Sequence, residues 1–464
     1  MKEGCGARRL SPGRAMGILA VAVGVLFAGL LLVKASSTIA LLASGAVTVA
    51  MALISGVDWD ELHDDICKNI SSFIPAILIL LSVGMLVGAW IVSGTVPVMI
   101  YLGLKMLSPE WFLMATLFIC TIMSVTTGTS WGTIGTVGIA LMGVSVGLGV
   151  PLAYTAGAIV MGAIFGDKLS PLSDTTVLAS AVSGVDIFDH VKYMLLTTVP
   201  PFAIGIAMYW FLENGAGGSV ESAQLNLILA TMEKTFTLSP MLLLPPIAVL
   251  SLAFMKKPAL PVFAVGIVLA VILAVFIQQT NLKDISSALL NGYAKSTGVE
   301  VVDKMLLRGG LKSMLGTVAL LIAAAVFGAP LRTIGVMELL IAFVRKFSNT
   351  GKVFQTGVFF LHGFLFMITG SYYVTFSAFA PMVRPVYDDL GLDRVNLSRM
   401  LEDTGTAFAP IVPWSITGAF IAATLDVPTL EFALFAPITY GGMLCALAYI
   451  AFNYRIAVVE NPLV

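Results

Sequence analysis

The sequence predicts an all-α polytopic membrane protein with two inverted-topology repeats, discontinuous or re-entrant helices and about 11-13 membrane segments. Three observations predict it. Hydrophobic residues make up 58% of the chain and charged residues only 11%, and the mean hydropathy is +0.99, so 464 residues cannot hide their apolar surface in one water-soluble core. Apolar runs long enough to cross roughly 30 Å of hydrocarbon recur from end to end. Helix-breaking residues recur at matching places in the two halves.

The elements follow in chain order. Residues 1–15 read as a cytoplasmic N-terminal tail, because Lys2, Arg8, Arg9 and Arg14 precede the first apolar run, Met16 to Val33. That run is long, ends without an A-x-A-like site and is followed at once by Ala35 to Gly56, so an uncleaved span is expected rather than a signal peptide. Phe73 to Gly94 and Tyr193 to Leu212 are further spans of a first transmembrane repeat with flanking helices, residues 16–257. Leu260 to Phe276 and Phe432 to Tyr449 belong to the second, residues 258–464. Lys256 and Lys257 form a short basic loop between them and mark the same side as the N-terminus.

Two polar stretches, Asp58 to Asn69 and Asn281 to Lys304, carry apolar residues at helical spacing and are expected to be amphipathic helices lying on the membrane surface. Cys5, Cys67, Cys120 and Cys445 stand alone, and His63, His190 and His362 lack metal-ligand spacing, so no resident metal is expected. His190 is expected in a connecting loop; His362 reads as a hydrogen-bonded core residue or as one facing a cavity. Arg308 and Lys312 anchor a span or attract an anion. The net charge of −1 leaves no basic footprint for nucleic acid.

The repeats show in the residues themselves. Gly128, Thr133, Gly149, Pro171, Ser173 and Thr175 match Gly370, Thr375, Gly391, Pro413, Ser415 and Thr417, each pair 242 apart (370 − 128; 417 − 175). With Val144/Val386 and Leu148/Leu390 there are eight identities in 48 ungapped positions, against roughly three or four by chance. The excess is modest, but the matched residues are mostly those that break helices or offer ligand oxygens. Interrupted hydrophobic segments at matching places are the mark of a secondary transporter's binding site, although channels are also duplicated.

Four segments carry chemistry. Thr126 to Thr136 (TTGTSWGTIGT) interrupts an apolar stretch with glycines and hydroxyls, where Thr129, Ser130 and Thr133 can replace part of a cation's hydration shell. A small-residue packing face is the alternative. In Gly166 to Thr176 (GDKLSPLSDTT), Pro171 breaks the helix between Asp167 and Asp174, so the second carboxylate falls near a helix N-terminus. The two bind a cation when deprotonated and release it when protonated, unless Lys168 makes Asp167 a structural ion pair. Leu401 to Pro413 (LEDTGTAFAPIVP) repeats the theme with Asp403, Thr404 and Thr406. Glu402 and Asp403 point about 100° apart, so one at most faces a cavity; Asp403 is preferred, and Arg399 is available to neutralise either. Finally, P-x-S-x-T occurs in both halves, with Asp only in the first; Thr375, Thr404, Thr406, Ser415 and Thr417 are the neutral oxygens of the second-repeat tips, or the serines simply cap helices. Trp131, Tyr372, Tyr373 and Trp414 are positioned to line a larger pocket.

These segments resemble a known family. GTSWGTIGTVGIALMG, GDKLSPLSDTT and NLSRMLEDTGTAFAPIVPW are similar to signature stretches of the NhaC-type sodium/proton antiporters, as are Ser93 to Pro97 (SGTVP) and Arg308 to Met314 (RGGLKSM). The likeness covers nearly the whole chain after Ser36. It implies a fold of the ion transporter superfamily, with paired inverted repeats, and sodium efflux coupled to proton entry across the cytoplasmic membrane by alternating access. In some relatives it implies exchange of an organic acid such as malate for lactate, so a sodium- or proton-coupled carrier of a small organic acid or amino acid is the alternative. Asp167, Asp174 and Asp403 are assigned by the resemblance to cation and proton handling, with Ser173 to Thr175 as a binding tip. Ser415-Ile416-Thr417 departs from the Asn-Thr expected at the second tip. Expected partners are sodium, protons, lipid and a small organic acid, with no cofactor beyond the transported ions; a homodimer is compatible with this reading. A channel is disfavoured by the scarcity of polar rings; Gly128 to Gly132 (GTSWG) matches the G-x-S-x-G pattern of a nucleophile loop, but it interrupts an apolar stretch and no metal set accompanies it, so an enzyme is disfavoured as well.

Overall fold

A computed structural model describes residues 10–216, 222–255, 257–347 and 350–458; Lys2, Cys5, Arg8, Arg9 and Lys256 lie outside these. Among the described residues ten helices are long and apolar enough to cross a membrane, or up to twelve if each of two bent helix pairs counts as one span. In lipid no water satisfies a free backbone group, so each crossing is helical and each interruption is enclosed by protein or borders a cavity.

The first half opens with α1 (Pro12–Leu31) and α2 (Ser37–Ile54), which pack on one another. Next come α3 (Trp59–Val92), α4 (Thr95–Met106) and α5 (Phe112–Thr127). A broken helix follows, α6 (Ser130–Thr133) and a π turn (Ile134–Gly138) running into α7 (Ile139–Gly147). Then come α8 (Leu152–Leu169), the half-length α9 (Asp174–Ser183) and α10 (Ile187–Ala216). Between the halves lie α11 (Ser222–Thr235) and α12 (Leu244–Phe254). The second half contains α13 (Ala259–Phe276), α14 (Leu282–Asn291), α15 (Glu300–Leu306), α16 (Leu315–Thr333) and α17 (Val336–Phe347). It continues with α18 (Gly351–Thr369), α19 (Tyr372–Asp389), α20 (Val395–Thr404), the half-length α21 (Ile416–Leu425), α22 (Thr429–Phe432) and α23 (Ile438–Phe452).

The matched residues of the two halves take matched conformations. α5 ends on Gly128 at φ +69° and α18 on Gly370 at φ +66°. The following residues, Thr129 and Ser371, are both extended before the next helix starts. Gly149 and Gly391 have φ values of +66° and +65°, and Ser173 and Ser415 cap α9 and α21 with their hydroxyls. A Cβ on Gly128 would lie 2.8 Å from Leu172 Cβ, and one on Gly370 would lie 3.1 Å from the Trp414 carbonyl. Leu172 and Trp414 are themselves 242 apart (414 − 172). In each half, therefore, the glycine that ends one helix is pressed against the break in another.

α5 and α8 form the most extensive helix contact in the molecule, and small residues make it possible. A Cβ on Gly162 would come within 2.4 Å of Leu117 O, one on Gly166 within 2.4 Å of Val125 N, and Ser124 Oγ donates to Ala163 O at 2.6 Å. Close backbone approach of this kind replaces the hydrophobic drive that lipid removes.

Two sequence expectations change here. Asp58 to Asn69 is not a separate surface helix but the first turns of the 34-residue α3. Pro75 lies inside α3 without ending it, and the buried Asn69 Nδ2 donates to Ala325 O at 2.8 Å, holding these turns against α16. Asn281 to Lys304 forms α14 and α15, and α14 is amphipathic, with Ile285 and Ala288 buried and Leu282 exposed; on its buried side a Cβ on Gly88 of α3 would lie 2.3 Å from Ala288 O, and Gly310 N donates to Gly84 O at 2.8 Å nearby. His190 also proves to lie in the first turn of α10, buried, with Nδ1 at 2.9 Å from Ser398 Oγ, rather than in a connecting loop.

Candidate ion-binding site

Both helix breaks of the first half converge on Asp167. α8 ends at Leu169 because Pro171 cannot continue it, and the chain re-enters a helix at Asp174 with Ser173 as the N-cap. Ser173 Oγ donates to Asp167 Oδ1 at 2.6 Å and stands 3.0 Å from Thr175 Oγ1. From the other break, Ser130 Oγ donates to Asp167 Oδ2 at 2.8 Å. Thr129 holds that break by accepting from Gly132 N at 3.2 Å, and Thr133 Oγ1 returns to Thr129 O at 3.0 Å. Asp167 is 3% exposed, so one buried carboxylate has each oxygen capped by a hydroxyl from a different broken helix.

Asp174 is exposed, and it borders a cavity of about 560 Å³ that is partly open to the outside. It occupies the first turn of α9, where the helix dipole favours an anion, and the Tyr373 hydroxyl donates to it from the second half. Ser130, Thr133, Asp167, Trp131, Tyr372 and Ser371 also line the cavity, with Lys257 from the connection between α12 and α13. The Trp131 ring stacks on Phe420 of α21, centroids 4.3 Å apart and planes within 7°. Trp414, expected in the lining, is instead 8% exposed with its indole N–H donating to Met367 O at 2.7 Å. Trp414 packs the break; it does not face the cavity.

The second half repeats the geometry without the charge. Ser415 Oγ reaches back to Ala409 O at 2.7 Å, as Ser173 reaches back to Asp167, and 409 is the position 242 beyond 167. An alanine there leaves only a backbone carbonyl to bind. Thr375 Oγ1 is 3.4 Å from Ser371 O. His362 Nδ1 lies 2.6 Å from Thr404 Oγ1, which also donates to Met400 O at 2.7 Å. Thr406 and Thr417 are buried with no partner for their hydroxyls.

Lys168 does not pair with Asp167. Neighbouring residues point about 100° apart around a helix, so Lys168 leaves a different face of α8 from Asp167 and donates to Asp403 Oδ1 at 2.8 Å, both side chains fully buried. Thr197 Oγ1 donates to the same oxygen at 3.0 Å. This is an ion pair between the halves. Arg399 takes neither carboxylate; its guanidinium lies over Tyr193, 4.6 Å from the ring centroid, and 5.9 Å from that of Tyr449. Sequence reasoning missed Thr197 and the reach of Lys168 altogether, because no local pattern links positions 168, 197 and 403.

A model of the Na+/H+ antiporter family matches residues 13–177 and 162–454. The Na(+)/H(+) antiporter NhaC of Alkalihalophilus pseudofirmus is 36% identical over 432 residues, 92% of this chain and 93% of that protein. The chain belongs to the Na+/H+ antiporter family. The malate-2H(+)/Na(+)-lactate antiporter of Bacillus subtilis is 38% identical over 414 residues, covering 89% of this chain and 88% of its own length. The arginine/ornithine antiporter ArcD of Halobacterium salinarum is 34% identical over 432 residues, 92% of this chain and 88% of its own. The chain is thus similar both to proteins named for ions alone and to proteins named for organic solutes.

Proposed function

We propose that this protein is a secondary transporter of the cytoplasmic membrane that exchanges sodium for protons by alternating access, with its N-terminus in the cytoplasm. The observation that carries the reading is the Asp167 carboxylate held between Ser130 and Ser173 at two helix breaks, beside Asp174 on a cavity. A desolvated sodium ion needs oxygen ligands, and this site offers a carboxylate, three hydroxyls (Ser130, Ser173, Thr175) and carbonyls freed at the breaks. Without the ion the serine O–H groups point at the carboxylate; with it they turn their lone pairs to the metal. A proton on Asp167 removes the charge that holds sodium, so the two cargoes compete for one site.

Asp403, tied to Lys168, serves in this reading as a counter-charge between the halves and not as a sodium ligand. The halves are taken to be inverted repeats that rock against each other at the breaks. Arg14, at the start of α1, and Lys257, before α13, support the orientation.

A second reading is favoured by one observation. The cavity is larger than an ion needs, and it carries Lys257 and the Tyr372–Tyr373 pair beside Asp174. A small organic acid or amino acid could be carried with the ion, as the names of two relatives indicate for those proteins. Proteoliposomes separate the two: sodium-driven proton movement with no organic solute present supports plain exchange, and strict dependence on an added acid replaces it with the second reading.

A further inference from the structure

Two adjacent carboxylates lie in the core of the second half, and the structure treats them differently. Asp403 is committed through Oδ1 to Lys168 and Thr197. Glu402 is 0% exposed, and neither of its oxygens has a hydrogen-bond partner. The Thr406 hydroxyl lies beside it, near enough to act on the carboxyl but outside regular hydrogen-bond geometry. A buried carboxylate ion without partners is too costly to persist, so in this conformation Glu402 carries its proton. The charged groups that act on it are Lys168 and Asp167 from α8 and Asp403 from its own helix. Titratable side chains on the other helices packed against α20 are engaged elsewhere: His362 with Thr404, His190 with Ser398, Asp174 with Tyr373. Tyr387 lies toward Arg399, and Cys445 stands nearer the Asp403–Lys168 pair.

We propose that Glu402 is a second proton-carrying group of the transporter, exchanging its proton against the Lys168 ammonium. With Glu402 protonated, Lys168 balances Asp403 alone. When the Glu402 O–H bond breaks and the proton passes to water on the open side, Lys168 is shared by two carboxylates and the cluster gains one negative charge. Sodium at Asp167, the next residue on α8, compensates that charge, so its arrival and the proton's departure favour each other. The inference rests on the sodium/proton reading above for its cargo, but not for the state of Glu402.

The test uses the full chain in proteoliposomes and compares wild type, E402Q and E402D for sodium-dependent proton flux across pH and imposed membrane potential. E402Q is expected to bind sodium, to lose its exchange at least about tenfold, and to show a pH dependence shallower by about one proton; E402D restores exchange with a shifted pH profile. An E402Q variant with the pH profile and potential response of wild type overturns the proposal. Infrared difference spectra of wild type and E402D with and without sodium decide it even where E402Q fails to insert. A protonated-carboxyl band that disappears on adding sodium and moves in E402D is expected, and the lack of any such band is the contrary result. If wild type moves no protons with sodium, the transport reading fails while the spectra still report on Glu402.

Discussion

Asp167 is the residue whose surroundings are most specific. Its two oxygens are shared out between Ser130 and Ser173, so the three side chains are expected to act as one unit whose deletions do not add. D167N is expected to abolish sodium-dependent proton flux with insertion intact, while S173A, which removes one hydroxyl and the α9 cap, weakens sodium affinity and leaves a measurable rate. Asp174→Asn is likewise expected to abolish exchange, since it removes the carboxylate facing the cavity; normal flux would take that residue out of the mechanism. Lys168 and Asp403 behave differently because both are fully buried. K168M strands a carboxylate and is expected to destabilise the protein by about 3–5 kcal/mol, whereas the apolar double variant K168M/D403L recovers most of that, as thermal unfolding in detergent would show.

At the scale of the element, the breaks are set by glycine, proline and hydroxyl residues acting together. Gly128 has a left-handed backbone and sits against Leu172, so G128A incurs about 1–2 kcal/mol from backbone strain and a further contact penalty of about 1–3 kcal/mol. G370A, with the wider 3.1 Å approach to Trp414 O, is expected to cost less, and the order of the two melting temperatures checks it. Outside the spans, Asp303 gathers the Ser296 hydroxyl and Thr297 N–H and O–H and is held below its ordinary carboxylate range, first by the hydrogen bond from Ser296. A lowered folded value means that this loop's stabilisation is complete above the ordinary range and is lost as pH falls through the lowered value. D303N should flatten that acidic limb in unfolding measured against pH.

For the whole molecule, the halves interlock broadly, α2 and α3 against α16 and α10 against α23, and three of the contacts between them lie at or beside the candidate site: Lys168 with Asp403, Tyr373 with Asp174, and Trp131 on Phe420. Alternating access requires some of these to break, so the cavity should open to one side at a time. In a variant lacking the native cysteines, a cysteine in place of Ser72 or Ala253, both in the cavity lining, is expected to react with a membrane-impermeant thiol reagent from one side only. The side should change with the sodium gradient, and equal labelling from both sides would favour a channel.

Membrane embedding, the helical class and the recurrence of breaks were determined by sequence alone, because hydropathy and the placement of Gly, Pro, Ser and Thr are local properties that lipid turns into structure. The Thr129–Thr133 and Asp167–Thr175 segments were legible for the same reason: polar groups in an apolar run must be enclosed. Which groups answer one another was decided only by the tertiary structure. Lys168 passes over its neighbour Asp167 for Asp403, 235 positions away, and Arg399 turns to tyrosines instead of the carboxylates three and four residues on. Trp414 turns its indole to Met367 O, and Glu402 is left alone. Each depends on the direction in which a side chain leaves its helix and on what the opposite half places there. The physical cause is long-range packing, which no window of neighbouring residues contains.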